Sequence, residues 1–296
     1  MQKRSLGKQL WELFSPLLLY MVVATVVEFI IFFVYYAMRI PAMIDTIQTM
    51  DDFMEIYYDM LVEVLQYGTE ITALAAACTL PFLVWMTRKD AKKEAAAGIV
   101  PNKKAPLSKY ILIAGICIPF SLGLNNLILL SDLAAYSESY QETAEILYSP
   151  SFPVQILCVG IIIPILEEYI FRGLIFKRIR RYASAIYAII LSAVFFGLYH
   201  GNLVQIIYGT LCGLLLAWLY EKYGSIKAPI LAHMLMNIVA CVLTEVDAFT
   251  WMFSKVMRMG MITVACAAIA STMFLLIQRI EEKPEEQKYT QFSRAS

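Results

Sequence analysis

The sequence predicts an all-α, polytopic helical membrane protein of about eight transmembrane helices. Three observations carry that reading. Of the 296 residues 60% are hydrophobic and only 16% charged, with a mean hydropathy of +0.65, outside the range of soluble domains. The apolar residues gather into runs near the length, about 20 residues, that crosses hydrocarbon. Inside a bilayer no water reaches backbone N–H and C=O groups, so runs of this kind must be helical. The net charge is zero, which gives no long-range attraction to nucleic acid; no nucleic-acid partner is expected.

The runs fall at 14–38, 71–86, 110–130, 152–176, 182–199, 203–220, 228–243 and 259–277. The first is 25 residues long, follows Lys3, Arg4 and Lys8, and has no small-residue cleavage site after it, so it reads as an uncleaved span. Glu28 within it reads as a lone carboxyl that pairs with a hydroxyl or stays protonated. Residues 50–66 then set Met50, Phe53, Met54, Tyr57, Leu61, Val64 and Leu65 at helical spacing, with Asp51, Asp52, Glu55, Asp59 and Glu63 opposite. That is an amphipathic helix at the outer surface. Residues 88–109, basic and carrying Gly98, Pro101 and Pro106, read as a flexible cytoplasmic linker, and residues 137–150 as a polar outer loop. In the fourth run Pro164 cannot donate to the carbonyl of Gly160 and is expected to bend the helix. Gly209 and Gly213 make a G-x-x-x-G face for close packing. The six cysteines all lie in apolar runs with no C-x-x-C pair, as small packing residues do. Three regions result: a two-span part with its linker (1–109), a six-span core (110–280) and a polar tail (281–296).

Charge sets the orientation. With the N-terminus inside, all of the 24 Lys and Arg except Arg39, Lys255 and Arg258 belong to cytoplasmic segments. By the positive-inside rule both termini are expected in the cytoplasm.

The acid–base groups are the informative exception to this apolar pattern. Glu167 and Glu168 stand side by side in the fourth run, followed by Arg172-Gly173. A carboxylate at bilayer depth costs about 2.5–3.5 kcal/mol on insertion scales, so intramembrane acids mark function. The only two histidines, His200 and His233, lie in or at the edge of other apolar runs, in Phe196-x-x-x-His200 and His233-x-x-x-Asn237. Residues four apart share a helix face, so Glu168 pairs with Arg172 while Glu167, turned by about 100°, is left for chemistry. His233 and Asn237 share a face in the same way, and Phe196 lies one turn before His200, placed to wall the site against water. Counting about 1.5 Å per residue from a turn near Tyr182 puts Glu168 and His200 at similar depth. A cavity near mid-membrane, open toward the cytoplasmic side, is the expected geometry.

The three motifs in order, with Arg172-Gly173, Phe196-Gly197, Gly213, Gly224-Ser225-Ile226 and Pro229-Ile230, resemble the CPBP family of intramembrane endopeptidases. This family, also called the Abi or CAAX-protease-and-bacteriocin-processing family, includes the type 2 CAAX prenyl endopeptidases. The resemblance covers roughly residues 153–240. It implies that Glu167 and His200 activate water, that His233 and Asn237 stabilise the oxyanion, and that Glu168 and Arg172 position the helix. The implied substrate is a membrane-associated peptide or a lipidated protein tail, reached from the cytoplasmic side. The short connections and the Gly-Asn after His200 are more similar to the bacterial branch, which implies an integral protein of a bacterial plasma membrane. Other readings stand beside this one: a noncatalytic scaffold, a bacteriocin-immunity protein, or a proton-coupled transporter, although no inverted repeat is visible. A metal-free glutamate–histidine pair is preferred; the alternative is zinc held by Glu167, His200 and His233.

Overall fold

The computed structural model describes residues 5–44, 47–99, 101–131 and 133–281, and all regular structure among them is helical. Among the described residues seven helices are long and apolar enough to cross a membrane: Gly7–Pro41, Gly68–Ala96, Leu107–Leu130, Phe152–Arg180, Leu203–Tyr223, Lys227–Glu245 and Val256–Gln278. An eighth apolar helix, Ala185–Tyr199, is shorter. The expected polar tail lies outside the described residues beyond Glu281.

The first span belongs to α1 (Leu6–Met43), which meets the amphipathic α2 (Met50–Leu65) at the membrane edge. Thr49 and Asp52 close a reciprocal capping box at the start of α2. Tyr36 donates to the Tyr57 carbonyl at 2.8 Å, and Arg39 pairs with Glu63 at 2.8 Å, so α2 is tied to the end of α1. The next helix, α3 (Gly68–Ala96), runs well past the expected end of its span. Residues 88–96, read from sequence as part of a flexible linker, continue the helix. They are strong helix formers (Lys, Arg, Ala, Glu), and two of their acids have fixed partners: Asp90 with Arg178 at 2.7 Å and Glu94 with Arg181 at 2.9 Å.

After a 3₁₀ turn at Leu107–Tyr110 comes α4 (Ile111–Leu130), then α5 (Glu138–Tyr148) in the segment expected to be a loop. The Ser137 hydroxyl accepts from the Tyr140 N–H and caps α5. Its inner face carries Tyr140, Thr143, Ala144, Leu147 and Tyr148 at helical spacing, a weak pattern hidden in a polar stretch.

The helix Phe152–Arg180 is one rod spliced from five pieces: α6 (Phe152–Leu157), a π-helical segment Cys158–Ile162, α7 (Ile163–Glu168), a second π-helical segment Tyr169–Phe176, and α8 (Lys177–Arg180). The remaining helices are α9 (Ala185–Tyr199), α10 (Leu203–Tyr223), α11 (Lys227–Glu245), α12 (Ala248–Phe253) and α13 (Val256–Gln278). With lipid tails as apolar as leucine, helices associate by close packing and polar contacts. The α9–α10 pair shows the first: a Cβ on Gly213 would lie 2.9 Å from the Ala193 Cα, and one on Gly209 3.3 Å from the Gly197 Cα. The G-x-x-x-G face is thus a contact between backbones.

The two ends of the bundle differ in charge. At one end the start of α1, the end of α3, residues 102–109 and the ends of α8, α10 and α13 meet. Arg178 donates to the Glu12 carbonyl and pairs with Asp90, Arg180 pairs with Glu221 at 3.2 Å, Tyr223 donates to the Lys109 carbonyl at 2.9 Å, and Lys222 reaches the Gln278 carbonyl at 3.4 Å. This is the basic end. The other end carries α2, α5 and α12, and its described Lys and Arg are Arg39, Lys255 and Arg258 against a larger number of acids.

Candidate active site

Every candidate side chain from the sequence is carried by the spliced helix, α9 or α11, around one centre. Arg172 and Glu168 are fully buried and pair at 2.7 Å through Nη1 and Oε1, the i, i+4 contact expected. A second guanidinium nitrogen donates to the Gly213 carbonyl of α10 at 3.1 Å. The same Glu168 Oε1 accepts from His233 Nδ1 at 2.9 Å. A carboxylate already bonded to a guanidinium only accepts, so the Nδ1 of His233 carries its proton and Nε2 faces outward. That Nε2 lies 3.6 Å from Glu167 Oε2.

The adjacent carboxylates therefore differ by partner. Glu168 meets both Arg172 and His233 through Oε1, with Oε2 buried and unbonded, while Glu167, 5% exposed, has no guanidinium partner among the described residues and faces one imidazole. His233 and Asn237, one turn apart on α11, both line the cavity, while Glu167, unpartnered in the sequence reading, has His233 beside it, and His233 bridges toward both glutamates.

Two candidates hold the backbone as well as facing the site. At the end of α9 the His200 N–H turns back to the Gly197 carbonyl at 3.1 Å, which leaves the Phe196 carbonyl without its helical donor. His200 Nδ1 supplies that bond at 2.8 Å. A carbonyl only accepts, so this imidazole too is protonated on Nδ1, with Nε2 available as an acceptor. The chain then turns through Gly201 at φ +82° into Asn202, whose side chain caps α10 by accepting from the Gln205 N–H at 2.9 Å.

Asn237 answers a second break. In the first π segment the Ile163 N–H bonds Cys158, five residues back. In that pattern the donor for Val159 would be Pro164, which has no N–H. Asn237 Nδ2 donates to the Val159 carbonyl at 2.9 Å. Pro164 thus produces a splice in the helix, bridged by a side chain from α11, where the sequence suggested only a bend. π segments of this kind recur at functional sites.

Phe196 is the hub. Its ring stands 4.5 Å from the Arg172 guanidinium carbon, with the centroids of Phe171, His200 and His233 at 5.1, 4.9 and 5.6 Å. A cavity of about 420 Å³ opens from here, lined by Glu167, Phe196, Tyr199, His200, His233 and Asn237 together with residues of α3, α4, α5 and α10. Tyr208 and Asn125, which the sequence reading passed over, meet on its wall at 3.3 Å. An asparagine inside an apolar span was the signal available for Asn125. Most of the cavity wall comes from the halves of the helices nearer the acidic end, while Glu167 and His233 lie at mid-depth or slightly toward the basic end. Among the described residues His200 bonds the Phe196 carbonyl and makes no direct pair with Glu167.

Zinc requires three donors converging on a point. Among the described residues no three His, Cys, Asp or Glu side chains do so. Glu167, His200 and His233 as placed do not fit that site.

Residues 149–239 match the family model described as type II CAAX prenyl endopeptidase, Rce1-like. Over 101 residues the chain is 35% identical to the candidate membrane peptidase YdiL of Bacillus subtilis (strain 168), covering 34% of this chain and 41% of that protein. The chain thus spans about two fifths of the length of this curated relative. No solved structure matches significantly. The matched segment contains Glu167, Glu168, Arg172, Phe196, His200, His233 and Asn237, and it is this segment that is similar to the CAAX-protease superfamily.

Proposed function

We propose that this membrane-embedded protein, whose segment 149–239 is Rce1-like, is an intramembrane endopeptidase that hydrolyses membrane-associated polypeptides. The observation that carries the reading is the inequality of the two glutamates. Glu168 is held at 2.7 Å by Arg172 and at 2.9 Å by His233, which leaves Glu167 as the carboxylate on the cavity wall. A structural ion pair has no need of the second acid.

In this reading a water sits between Glu167 and His200 Nε2. The carboxylate takes one proton as the oxygen attacks the peptide carbonyl, and the imidazole accepts a hydrogen bond from the other and fixes the attack direction. Negative charge then grows on the carbonyl oxygen. The second amide hydrogen of Asn237, whose first is committed to Val159, is one donor that would meet it, and His233 Nε2 is the other when the ring, whose Nδ1–H stays on Glu168, carries a second proton. Collapse of the tetrahedral intermediate breaks the C–N bond, and Glu167 returns its proton to the departing nitrogen. Glu168, by fixing His233 through Nδ1, holds Nε2 in place.

The test is a reconstituted cleavage assay with membrane peptides. Glu167→Gln keeps the shape and removes the base, so the rate should fall by about 10²–10⁴ while the thermal midpoint stays at the wild-type value. Cleavage by Glu167→Gln at the wild-type rate would overturn the assignment. One observation favours a second reading, a noncatalytic scaffold or immunity protein: His200 and Asn237 each complete a broken helix, a role that a scaffold also needs. Peptidase activity in the wild-type protein that is lost with Glu167 separates the two.

A further inference from the structure

We infer that substrate enters this cavity from the acidic end of the bundle, beneath α5, so that the site serves membrane-associated polypeptide segments presented at the outer face and not lipidated tails in the cytoplasm. The fate of the segment rests on the peptidase reading above; its route rests on geometry alone.

The floor comes first. Between the glutamates and the basic end lie Phe171, Leu174, Ile175, Leu216, Leu219 and Ala232, each 0% exposed. Below them the basic end is laced by the Arg178–Asp90, Arg181–Glu94 and Arg180–Glu221 pairs. A cavity of about 320 Å³ opens among these pairs, between Trp11, Trp85 and Arg178, but none of Glu167, His200, His233 and Asn237 lines it, so a polypeptide entering there still meets the packed layer above.

The opposite direction is hollow for a reason visible in the helix lengths. α9 has 15 residues and so rises only about 22 Å, against roughly 30 Å of hydrocarbon. Starting from the basic end it stops at His200, roughly 8 Å short of the far level by the same arithmetic. The cavity runs from beside that turn, where Phe196, Tyr208, Gly209 and Cys212 line it, into the space beyond. Its walls are Thr72 near the start of α3, Ile128 near the end of α4, Val159 and Ile163, Gln205 near the start of α10 and Ala240 toward the end of α11.

α5 covers it. Tyr140, Thr143, Ala144 and Leu147 face the cavity, while Glu138, Glu142 and Glu145 are exposed. The C-terminal end of this roof is tied down: Thr69 donates to the Ile146 carbonyl at 3.0 Å, Ser149 to that of Gln66 at 3.3 Å, and Gln155 to that of Tyr148 at 2.9 Å. Among the described residues no hydrogen bond joins residues 138–144 to a membrane helix. The roof is bonded to membrane helices at its C-terminal end, while its N-terminal half is tied only to the preceding turn, Gln141 donating to the Ala134 and Ala135 carbonyls at 3.2 and 2.9 Å, which makes that half the mouth. The positive-inside rule puts the basic end in the cytoplasm and therefore this mouth outside.

The experiment reads accessibility, with the full-length protein in cells. Cys78, the exposed cysteine among the described residues, and Cys212, which lines the same cavity, are replaced by Ala. Ala240→Cys then reports on the cavity wall and Lys104→Cys on the basic end. A charged, membrane-impermeant thiol reagent should label Ala240→Cys but not Lys104→Cys in intact cells, and inverted vesicles should reverse the preference. Adding Ala144→Trp beneath the roof should slow Ala240→Cys labelling about tenfold, with the thermal midpoint checked for intact folding, because a large side chain there narrows the mouth. Labelling of Ala240→Cys only in inverted vesicles, or from neither side, overturns the route, as does an unchanged rate in folded Ala144→Trp. A protein that labels as expected yet cleaves nothing supports the route and sinks the peptidase reading, so the two fail separately.

Discussion

Glu168 and Arg172 are the residues whose loss should do most damage per atom. Both are fully buried, and the bond between them is shared with His233. Breaking a buried pair by removing one charge leaves the other uncompensated, at about 3–5 kcal/mol. Glu168→Gln should therefore lower the thermal midpoint and the cleavage rate together, unlike Glu167→Gln. Removing the orphaned charge as well, in Glu168→Gln/Arg172→Met, should recover much of the stability but none of the rate, because His233 still lacks its anchor. A double variant no more stable than Glu168→Gln would mean that Arg172 is compensated elsewhere. At this scale the sequence was informative: i, i+4 spacing alone identified the Glu168–Arg172 pair. The partner of His233 was not legible, because a contact between residues 65 apart in sequence depends on how α11 packs on the spliced helix.

At the scale of elements, the helix Phe152–Arg180 and its π segments set where the site lies. If Asn237 bridges the break made by Pro164, the two substitutions must be coupled. Asn237→Ala leaves the Val159 carbonyl buried without a donor, which costs about 1–3 kcal/mol. Pro164→Ala restores an N–H, and the ladder can then close on Val159 or on Gly160 without Asn237. The double variant should be more stable than the sum of the two single effects by about 0.5–3 kcal/mol, read from thermal or denaturant unfolding in detergent. Strict additivity would show that Asn237 does not serve this carbonyl. The sequence gives Pro164 a missing donor but cannot choose between a bend and a splice, since the choice rests on a side chain from another helix. α5 was missed for a related reason. Its apolar face is short and set among Glu, Ser and Gln, and composition there outweighed periodicity. The N-cap Ser137 and the 140, 143, 144, 147 spacing were nevertheless present.

For the whole molecule, composition was enough for the fold class, and most spans fall where the hydropathy runs put them. The difficult element is α9, which at 15 residues is too short to be counted by length. Whether it crosses decides the parity of the topology. Seven crossings would leave the two ends of the chain on opposite sides of the membrane; eight bring them to the same side. The contacts favour eight. Arg178, just before the turn into α9, bonds the Glu12 carbonyl near the start of α1, and Lys222, at the end of α10, reaches the Gln278 carbonyl at the end of α13. The first and last membrane helices thus have their outer termini at the basic end, and α9 must carry the chain from that end to the depth of His200 for α10 to bring it back. Epitopes placed before Met1 and after Ser296 should both be hidden in intact cells and both be exposed in inverted vesicles, whereas an epitope inserted after Ser139 at the start of α5 should show the reverse. An N-terminal and a C-terminal epitope on opposite sides would remove α9 as a crossing, and with it the argument that places His200 and the cavity short of the outer surface.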